Sequence, residues 1–205
     1  MFLMIQSYKN WINNSYSQIK ENYIEINNLD QKLGDGDHGS TILKGLDTAV
    51  ANLNIISSED LSFFMSEISK LMRISMGGAS GILMTIFIKE VGNINYDNLR
   101  LSILDIFFIT IEKIKKRGKV KFGDKSILDI YIPVYDEIIA NDVIHINRIL
   151  KVLDHALEST KNMEAKVGRA KFLDTKGIGI TDPGAFSTTL ILKEFFKEFV
   201  NEKNN

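Results

Sequence analysis

Apolar positions recur every three or four residues along almost the whole chain, which is the periodicity of amphipathic α-helices. The first run keeps this spacing from Ile5 to Tyr23 and predicts a helix that ends before Asn27. Later runs predict helices over about 38–53, 57–76, 79–91, 97–118, 124–140, 144–160 and 182–202. Because no strand, internal repeat or low-complexity linker stands out, the pattern predicts an all-α protein of eight helices.

Two features of the last third of the chain affect the predicted boundaries. Pro133 falls inside the sixth helix, and proline normally kinks or ends a helix. The bounds of the sixth helix are therefore the least determined. Residues 161–181 form a long connection with room for a further helical turn. Asp182 and Pro183 then start the last helix, since Asp is a good N-cap and Pro a good first helical residue.

Short connections imply that neighbouring helices run antiparallel, so that alternate helices begin at the same end of the molecule. The loops before the second, fourth, sixth and eighth helices are rich in glycine, carboxylates and hydroxyls, whereas the loops at the opposite end have ordinary turn composition. These four loops occupy residues 34–39, 76–81, 121–126 and 181–185. The chain therefore predicts an antiparallel up-and-down bundle with its unusual loop chemistry at one end.

Three carboxylates, Asp30, Asp35 and Asp37, crowd the first of these loops, and Lys32 is the only cation close to them in sequence. At ~4 Å and an effective dielectric constant of about 20, each like-charged pair repels by roughly 4 kcal/mol. A bound cation would relieve this repulsion, and hard oxygen ligands suit Mg²⁺ or Ca²⁺. A solvated acidic turn is the alternative, because Asp-Gly pairs are common in turns.

The spacing of the cluster distinguishes between these two metals. An EF-hand opens with Asp-x-Asp, but here its third ligand position falls on Gly39 and its twelfth, which should be Glu, is Leu46. An incomplete set of carboxylates fits Mg²⁺ better, because Mg²⁺ usually completes its shell with phosphate and water.

Helix N-termini expose free backbone N–H groups and partial positive charge, so several that point the same way favour an anion. Residues 77–81 are a candidate phosphate cradle or an ordinary helix stop and start, and residues 182–185 are a candidate cradle or an ordinary cap. Together with the acidic cluster they favour a Mg²⁺–nucleotide. Residues 118–126 approach the P-loop pattern, but Asp124 interrupts it and no strand precedes it, so a Walker A site is rejected.

Several single residues have both a functional and a structural interpretation. His38 directly follows the carboxylates, which favours contact with a ligand over a purely structural role. Arg169 is either a phosphate clamp or an ordinary solvated arginine. Lys125 lies at the same end and could attract phosphate. Trp11, on the first helix, is assigned to packing.

Composition narrows the class of protein. A chain of 205 residues, 44% of them apolar, suits one domain over 1–205 with an ample core. The formal net charge of −1 gives no reason to expect nucleic acid or an anionic membrane as a partner. Cysteine is absent, which excludes disulfides, thiolate metal sites and cysteine nucleophiles. We expect no signal peptide and no transmembrane segment, hence a cytoplasmic protein.

In their order and spacing, the motifs at 34–39, 77–81, 123–126, 168–170 and 182–185 resemble those of the nucleotide-binding L subunit of dihydroxyacetone kinase, from about residue 24 to 192. The resemblance implies an eight-helix antiparallel barrel with ADP or ATP at one end, held through two Mg²⁺ ions by Asp30, Asp35 and Asp37. It implies no catalytic nucleophile in this chain. The nucleotide contacts that it implies are His38, Gly39, Ser40, Thr41, Ala79, Ser80, Gly118, Ile127, Arg169, Asp182, Pro183 and Gly184.

Four positions depart from the common pattern of this family. Thr41 stands where many relatives have Asn, Ile82 where Pro is usual, Ile127 where Met is frequent, and Ile180 near a common His. These positions concern base packing and helix entry, so they leave the metal ligands intact and the finer nucleotide preference open.

The resemblance also implies partners. A separate K subunit would hold dihydroxyacetone, and a phosphocarrier M subunit of the phosphoenolpyruvate phosphotransferase system would rephosphorylate the bound ADP. The alternatives are an ATP-exchanging kinase subunit for a related ketose or polyol, and a nucleotide-bound binding module read by a regulator, including a transcriptional one. A helical scaffold without metal or nucleotide is the remaining alternative. The chain is expected to be too short to contain the K domain itself.

Overall fold

Eight α-helices carry the fold in the computed structural model, which describes residues 2–200. The helices are α1 (Phe2–Leu33), α2 (His38–Asn52), α3 (Leu61–Met76), α4 (Gly78–Val91), α5 (Leu99–Gly118), α6 (Leu128–Ile139), α7 (Ile146–Ser159) and α8 (Pro183–Phe199). Short 3-10 turns lie at Tyr96–Asn98, Thr160–Asn162 and Ala170–Phe172. Residues 2–200 contain no strand, so the all-α prediction is confirmed.

The helices close into a ring. Each helix packs against the next one along the chain, and α8 returns to pack against α1. The C-terminal ends of α1, α3 and α5 and the N-terminal ends of α2, α4, α6 and α8 surround one cavity. Alternate helices therefore begin at the same end, as an antiparallel barrel requires.

The interior of the ring is filled by aliphatic side chains and an aromatic cluster. Trp11 of α1 is fully buried, and its ring meets Phe87 of α4 and Phe195 of α8 edge to face at centroid distances of 5.9 and 5.5 Å. Its Nε1 donates a hydrogen bond of 3.1 Å to the carbonyl of Ile191. Both the apolar body and the polar atom of the indole are thus satisfied, and the packing role predicted for Trp11 is confirmed.

The predicted end of the first helix before Asn27 is wrong, because α1 continues to Leu33. The side chain of Asn27 does not break the helix, since it bonds across to α2. Its Nδ2 donates to Ser40 Oγ at 2.7 Å, and its Oδ1 accepts from the backbone N–H of Ser40 at 3.0 Å. Ile26 and Leu33 continue the buried face. Asp30 therefore lies in the last turn of a helix and not in a loop.

The predicted start of the sixth helix at Asp124 is also wrong, because α6 begins at Leu128. Gly123 and Lys125 have φ values of 83° and 62°, in the left-handed region that a right-handed helix cannot use. Asp129 stabilises this turn by accepting hydrogen bonds from the N–H groups of Gly123 and Ser126.

Pro133 does not end α6, which runs on to Ile139. The remaining boundaries agree with the predictions to within about one helical turn. The predicted end of the last helix near residue 202 lies outside the described residues. Within residues 2–200, none of the helices combines the length and the apolar character that crossing a bilayer requires.

The close approach of α2 to α1 at Gly39 leads to a prediction about stability. A Cβ added to Gly39 would lie 2.2 Å from the carbonyl oxygen of Tyr23, a backbone atom that cannot rotate away. We expect Gly39→Ala to lower the free energy of unfolding by about 2 kcal/mol, because overpacking outweighs the ~1 kcal/mol by which alanine favours a helix. Urea unfolding without any ligand measures this.

The exposed Lys44 on the same helix provides the control, and Lys44→Ala should leave the unfolding free energy nearly unchanged. A Gly39→Ala protein as stable as the unsubstituted one would show that α1 and α2 can separate at this point without cost.

Candidate functional site

A cavity of about 620 Å³ lies at the end of the barrel where α2, α4, α6 and α8 begin. Its size is in the range of small-molecule and cofactor sites. Three sets of predicted residues meet in its wall. They are the acidic residues Asp30, Asp35 and Asp37, the residues His38, Thr41, Ala79, Gly118 and Ile127, and the later residues Arg169, Asp182, Pro183 and Gly184.

Two predicted contacts stand apart from this wall. Gly39 packs against the backbone of Tyr23, and Ser40 bonds to Asn27, so both face α1. Neither lines the cavity. The side chain of Ser80 lies outside the described part of the structure.

The three aspartates form a compact cluster in which each contributes a carboxylate oxygen within 4.8 Å of the other two. Asp30 organises the cluster from the last turn of α1. Its Oδ2 accepts hydrogen bonds from the backbone N–H groups of Gly36, Asp37 and His38 at 3.0, 3.0 and 3.1 Å. The loop therefore wraps around one carboxylate and presents the other two beside it. Such a set of hard oxygen ligands fits Mg²⁺ or Ca²⁺.

Arg169 supplies the cation that contacts this cluster. Its Nη1 lies 2.5 Å from Asp35 Oδ2, although the two residues are far apart in sequence. The side chains are 66% and 46% exposed, so the pair contributes little to stability by itself. Its consequence is positional, because it places a guanidinium at the mouth of the cavity, next to the candidate metal ligands.

His38 begins α2 and reaches across to α8. Its Nε2 lies 2.9 Å from Ser187 Oγ. Burial lowers the pKa of His38, and the negative charges of Asp30, Asp37 and Asp35 oppose that shift. The imidazole is therefore held at the junction of two helices, beside the acidic cluster. In its neutral form the ring has one nitrogen that donates a hydrogen bond and one that accepts.

The start of α8 combines a cap with a wall of the cavity. Asp182 Oδ1 accepts a hydrogen bond of 2.7 Å from the N–H of Ala185, which confirms the predicted N-cap. Burial raises the pKa of Asp182 to about 6, against the opposing effects of the Ala185 hydrogen bond and the Lys125 ammonium. The capping and cavity roles coexist at this residue.

Lys125 borders the cavity, but its ammonium is bonded to backbone carbonyls and not left free for a ligand. Its side chain is only 3% exposed, and its Nζ donates to backbone carbonyls of Thr160, Met163, Gly177 and Ile180. Burial lowers its pKa, while Asp182 raises it. The expectation that Lys125 attracts phosphate is therefore replaced by a role inside the connection between α7 and α8.

Sequence reasoning missed an apolar wall of the cavity. Leu83 of α4, Val120 after α5 and Val167 of the long connection line it beside Ile127. Nothing in the sequence distinguished these residues from ordinary core positions. An apolar wall opposite a charged cluster suits a ligand with one flat, weakly polar part and one anionic part.

A family model described as the DAK2 domain matches residues 32–197. The chain is 31% identical to the ADP-binding subunit DhaL of PEP-dependent dihydroxyacetone kinase 1 from Listeria innocua, over 88% of this chain and 90% of that protein. It is 27% identical to the ADP-binding subunit DhaL of the PEP-dependent dihydroxyacetone kinase from Escherichia coli, over 82% and 84% of the two chains.

Solved structures show the same fold. The dihydroxyacetone kinase of C. freundii in its native form matches with a TM-score of 0.72 and 21% identity. The match covers 93% of this chain and 34% of that one, so the present chain spans about a third of that kinase. The same kinase in complex with AMP-PNP and Mg²⁺ matches with a TM-score of 0.70 and 22% identity.

The acidic cluster generates a prediction about metal binding. Asp37 is exposed and contributes one of the three converging oxygens, so Asp37→Asn removes a charged ligand while preserving its size. We expect the dissociation constant for Mn²⁺, used as a probe for Mg²⁺, to rise at least about tenfold, because ligand charge sets the affinity of such sites. Electron paramagnetic resonance of free Mn²⁺ measures it.

Asp47→Asn is the matched control, since Asp47 is an exposed acid of α2, the helix that begins directly after Asp37. Asp47→Asn should bind Mn²⁺ like the unsubstituted protein. Equal Mn²⁺ affinity in the Asp37→Asn protein would show that the cluster is only a solvated acidic turn.

Proposed function

The chain belongs to the DAK2 domain family, and we propose that it is the ADP-binding subunit of a phosphoenolpyruvate-dependent dihydroxyacetone kinase. The observation that carries this proposal is that a cluster of carboxylates and a cavity lie side by side at one end of the barrel. Three carboxylate oxygens lie within 4.8 Å of one another, and they border a cavity of about 620 Å³ where four helices begin. Relatives over most of the chain carry the name of that subunit.

The residues present fit a magnesium nucleotide. Asp30, Asp35 and Asp37 would hold two Mg²⁺ ions, and the N-termini of α4 and α8 provide backbone N–H groups suited to phosphate. The apolar wall that includes Leu83, Val120 and Ile127 would take the base. The complex of the C. freundii kinase with AMP-PNP and Mg²⁺, which shares this fold, supports the assignment.

The chemistry is phosphoryl transfer, in which bound Mg²⁺ would stabilise the charge on the phosphate oxygens. We propose that a phosphocarrier M subunit phosphorylates bound ADP and that the resulting ATP then phosphorylates dihydroxyacetone held by a K subunit. This chain supplies no covalent nucleophile in that scheme. Its residues bind and orient the nucleotide, and Arg117 and Arg169 are the arginines that line the cavity and are placed to contact it.

The surface around the cavity suits a partner protein. Phe122 in the α5–α6 loop and Phe172 and Ile178 in the α7–α8 connection are 55%, 80% and 49% exposed. The same loops contribute Val120 and Arg169 to the cavity wall, and Phe122 itself borders a second groove beside α6 and α7. Exposed aromatic and aliphatic side chains next to a functional cavity are typical of an interaction surface. They would be covered when a partner subunit presents its acceptor.

Retention of nucleotide tests the proposal. Native mass spectrometry of the purified protein should show bound ADP and Mg²⁺, and EDTA should lower the melting temperature of that complex. At a hundredfold excess over its dissociation constant, a ligand that binds only the folded state stabilises it by about 2.7 kcal/mol. A melting curve that responds neither to Mg–ADP nor to EDTA would contradict the proposed function.

Dependence on partners generates a further prediction. The isolated chain should show negligible formation of dihydroxyacetone phosphate with either ATP or phosphoenolpyruvate, because the transferred group must meet an acceptor held in line by another subunit. A coupled assay measures this, first with the chain alone and then with K and M subunits added.

Asp37→Asn together with both partners is the control for that assay, and it should remain inactive. Rapid turnover by the isolated chain would show that it holds a sugar site of its own.

A further inference from the structure

The side chain of Lys125 enters the interior of the connection between α7 and α8. Its Nζ donates hydrogen bonds of 2.8, 2.8 and 2.6 Å to the carbonyl oxygens of Thr160, Gly177 and Ile180. The carbonyl of Met163 lies slightly farther away, at 3.3 Å. An ammonium group has three protons, so the three short contacts already use its full donor capacity.

Lys125 borders the cavity, but these contacts leave its ammonium no N–H group to donate to a ligand. Four carbonyl dipoles surround the ammonium, and that of Thr160 belongs to the C-terminal end of α7 and the 3-10 turn that extends it, where a cation is favoured. The backbone of Lys125 adopts φ 62°, a conformation that a lysine rarely uses. A residue keeps such a backbone conformation where its surrounding contacts hold it there. At Lys125 the hydrogen bonds of the buried ammonium are contacts of this kind.

The connection has little apolar core of its own, so polar contacts hold much of it: backbone bonds such as that from Lys166 N–H to the Asp124 carbonyl, and the ammonium of Lys125, which joins four of its carbonyls. Its small hydrophobic cluster consists of Ala165 and Ala170 with Leu33 of α1, and Ile180 packs against them. Gly177 sits against the same leucine, and a Cβ there would lie 2.7 Å from it. Clusters of this size give weak cohesion compared with a core helix.

The same connection forms one side of the cavity. Val167, Gly168, Arg169 and Ala170 line it, and Arg169 reaches Asp35 from there. We propose that Lys125 is a positioning residue whose ammonium holds residues 160–181 against the cavity and thereby sets how long a bound nucleotide stays. This inference rests on the proposed function, because it concerns release from the same site.

A nucleotide that stays bound differs from one that exchanges freely in its dissociation rate constant. The Asp30, Asp35 and Asp37 cluster belongs to α1 and the loop before α2, whereas the hydrogen bonds of Lys125 Nζ go to the connection between α7 and α8. Loosening the connection would release Arg169 from Asp35, but the bonds from Asp30 to the loop before α2 would still hold the three aspartates together. The departure of the nucleotide should therefore become faster while the metal ligands stay in place. Lys125 controls the rate constant of dissociation, and the aspartates control the affinity for metal.

The test compares Lys125→Met with Lys121→Met, a matched change at an exposed lysine of the same loop. Hydrogen exchange without nucleotide should show the amides of residues 163–180 exchanging at least about tenfold faster in Lys125→Met, with the buried amides of α8 unchanged. Displacement of a fluorescent ADP analogue in the presence of Mg²⁺ should give a dissociation rate constant raised by at least about tenfold. Lys121→Met should match the unsubstituted protein in both measurements.

Lys125→Arg is the second variant, and it preserves the charge where the methionine variant fails to fold. The larger planar guanidinium cannot place its donors on carbonyls that converge on one atom. In the Lys125→Arg protein, the amides of the connection should therefore also exchange faster, and the ADP analogue should also dissociate faster. Unchanged exchange and release in Lys125→Arg would overturn the inference, as would unchanged exchange in Lys125→Met. Equal acceleration in the α8 core amides would also overturn it, because that result signifies global destabilisation.

The two proposals fail differently. If the unsubstituted protein does not bind Mg–ADP, the proposed function is wrong, and hydrogen exchange without nucleotide still decides whether Lys125 holds the connection. If the protein binds Mg–ADP and Lys125→Met releases it at the unsubstituted rate, the function stands and the positioning role is wrong.

Discussion

The carboxylate of Asp30 connects the barrel to the site. It belongs to the last turn of α1, and one of its oxygens accepts three backbone N–H groups from the start of α2 and the loop before it. Those N–H groups would otherwise be unpaired at a helix start. By satisfying them, Asp30 fixes the path of the loop and thereby brings Asp35 and Asp37 within 4.8 Å of itself. A charge that is costly to crowd is thus tolerated through hydrogen bonds that also shape the loop.

The walls of the cavity differ in how firmly they are held. On one side, α1, α2 and α8 pack through buried aromatic and aliphatic side chains, with Gly39 against Tyr23 and His38 beside Ser187. On the other side, residues 160–181 are held by a small cluster of two alanines with Leu33 and Ile180, by a few backbone hydrogen bonds and by one buried ammonium. A rigid side suits metal ligands, whose positions must be accurate, and a loosely held side suits the entry and release of a ligand.

The sequence predicted the fold well because each helix repeats its apolar face several times, so that one misleading residue changes only a boundary. The end of α1 was predicted wrongly at Asn27 because its hydrogen-bond partner, Ser40, lies on another helix. The helix preference of asparagine alone does not reveal such a bond. The acidic loop and the start of α8 could be predicted because their chemistry is local. The burial of Lys125 and the contact of Arg169 with Asp35 could not, since each joins loops distant in sequence.

The location of the site follows from the physics of helices. A barrel of helices satisfies its backbone groups everywhere except at the helix ends, where N–H groups remain available. Four such ends meet at the cavity, so an anion can be bound without burying a polar group in the aromatic core around Trp11. The same geometry leaves the anion at the surface of the molecule. The transfer reaction that we propose for this site would therefore need a second protein to exclude water and to present the acceptor.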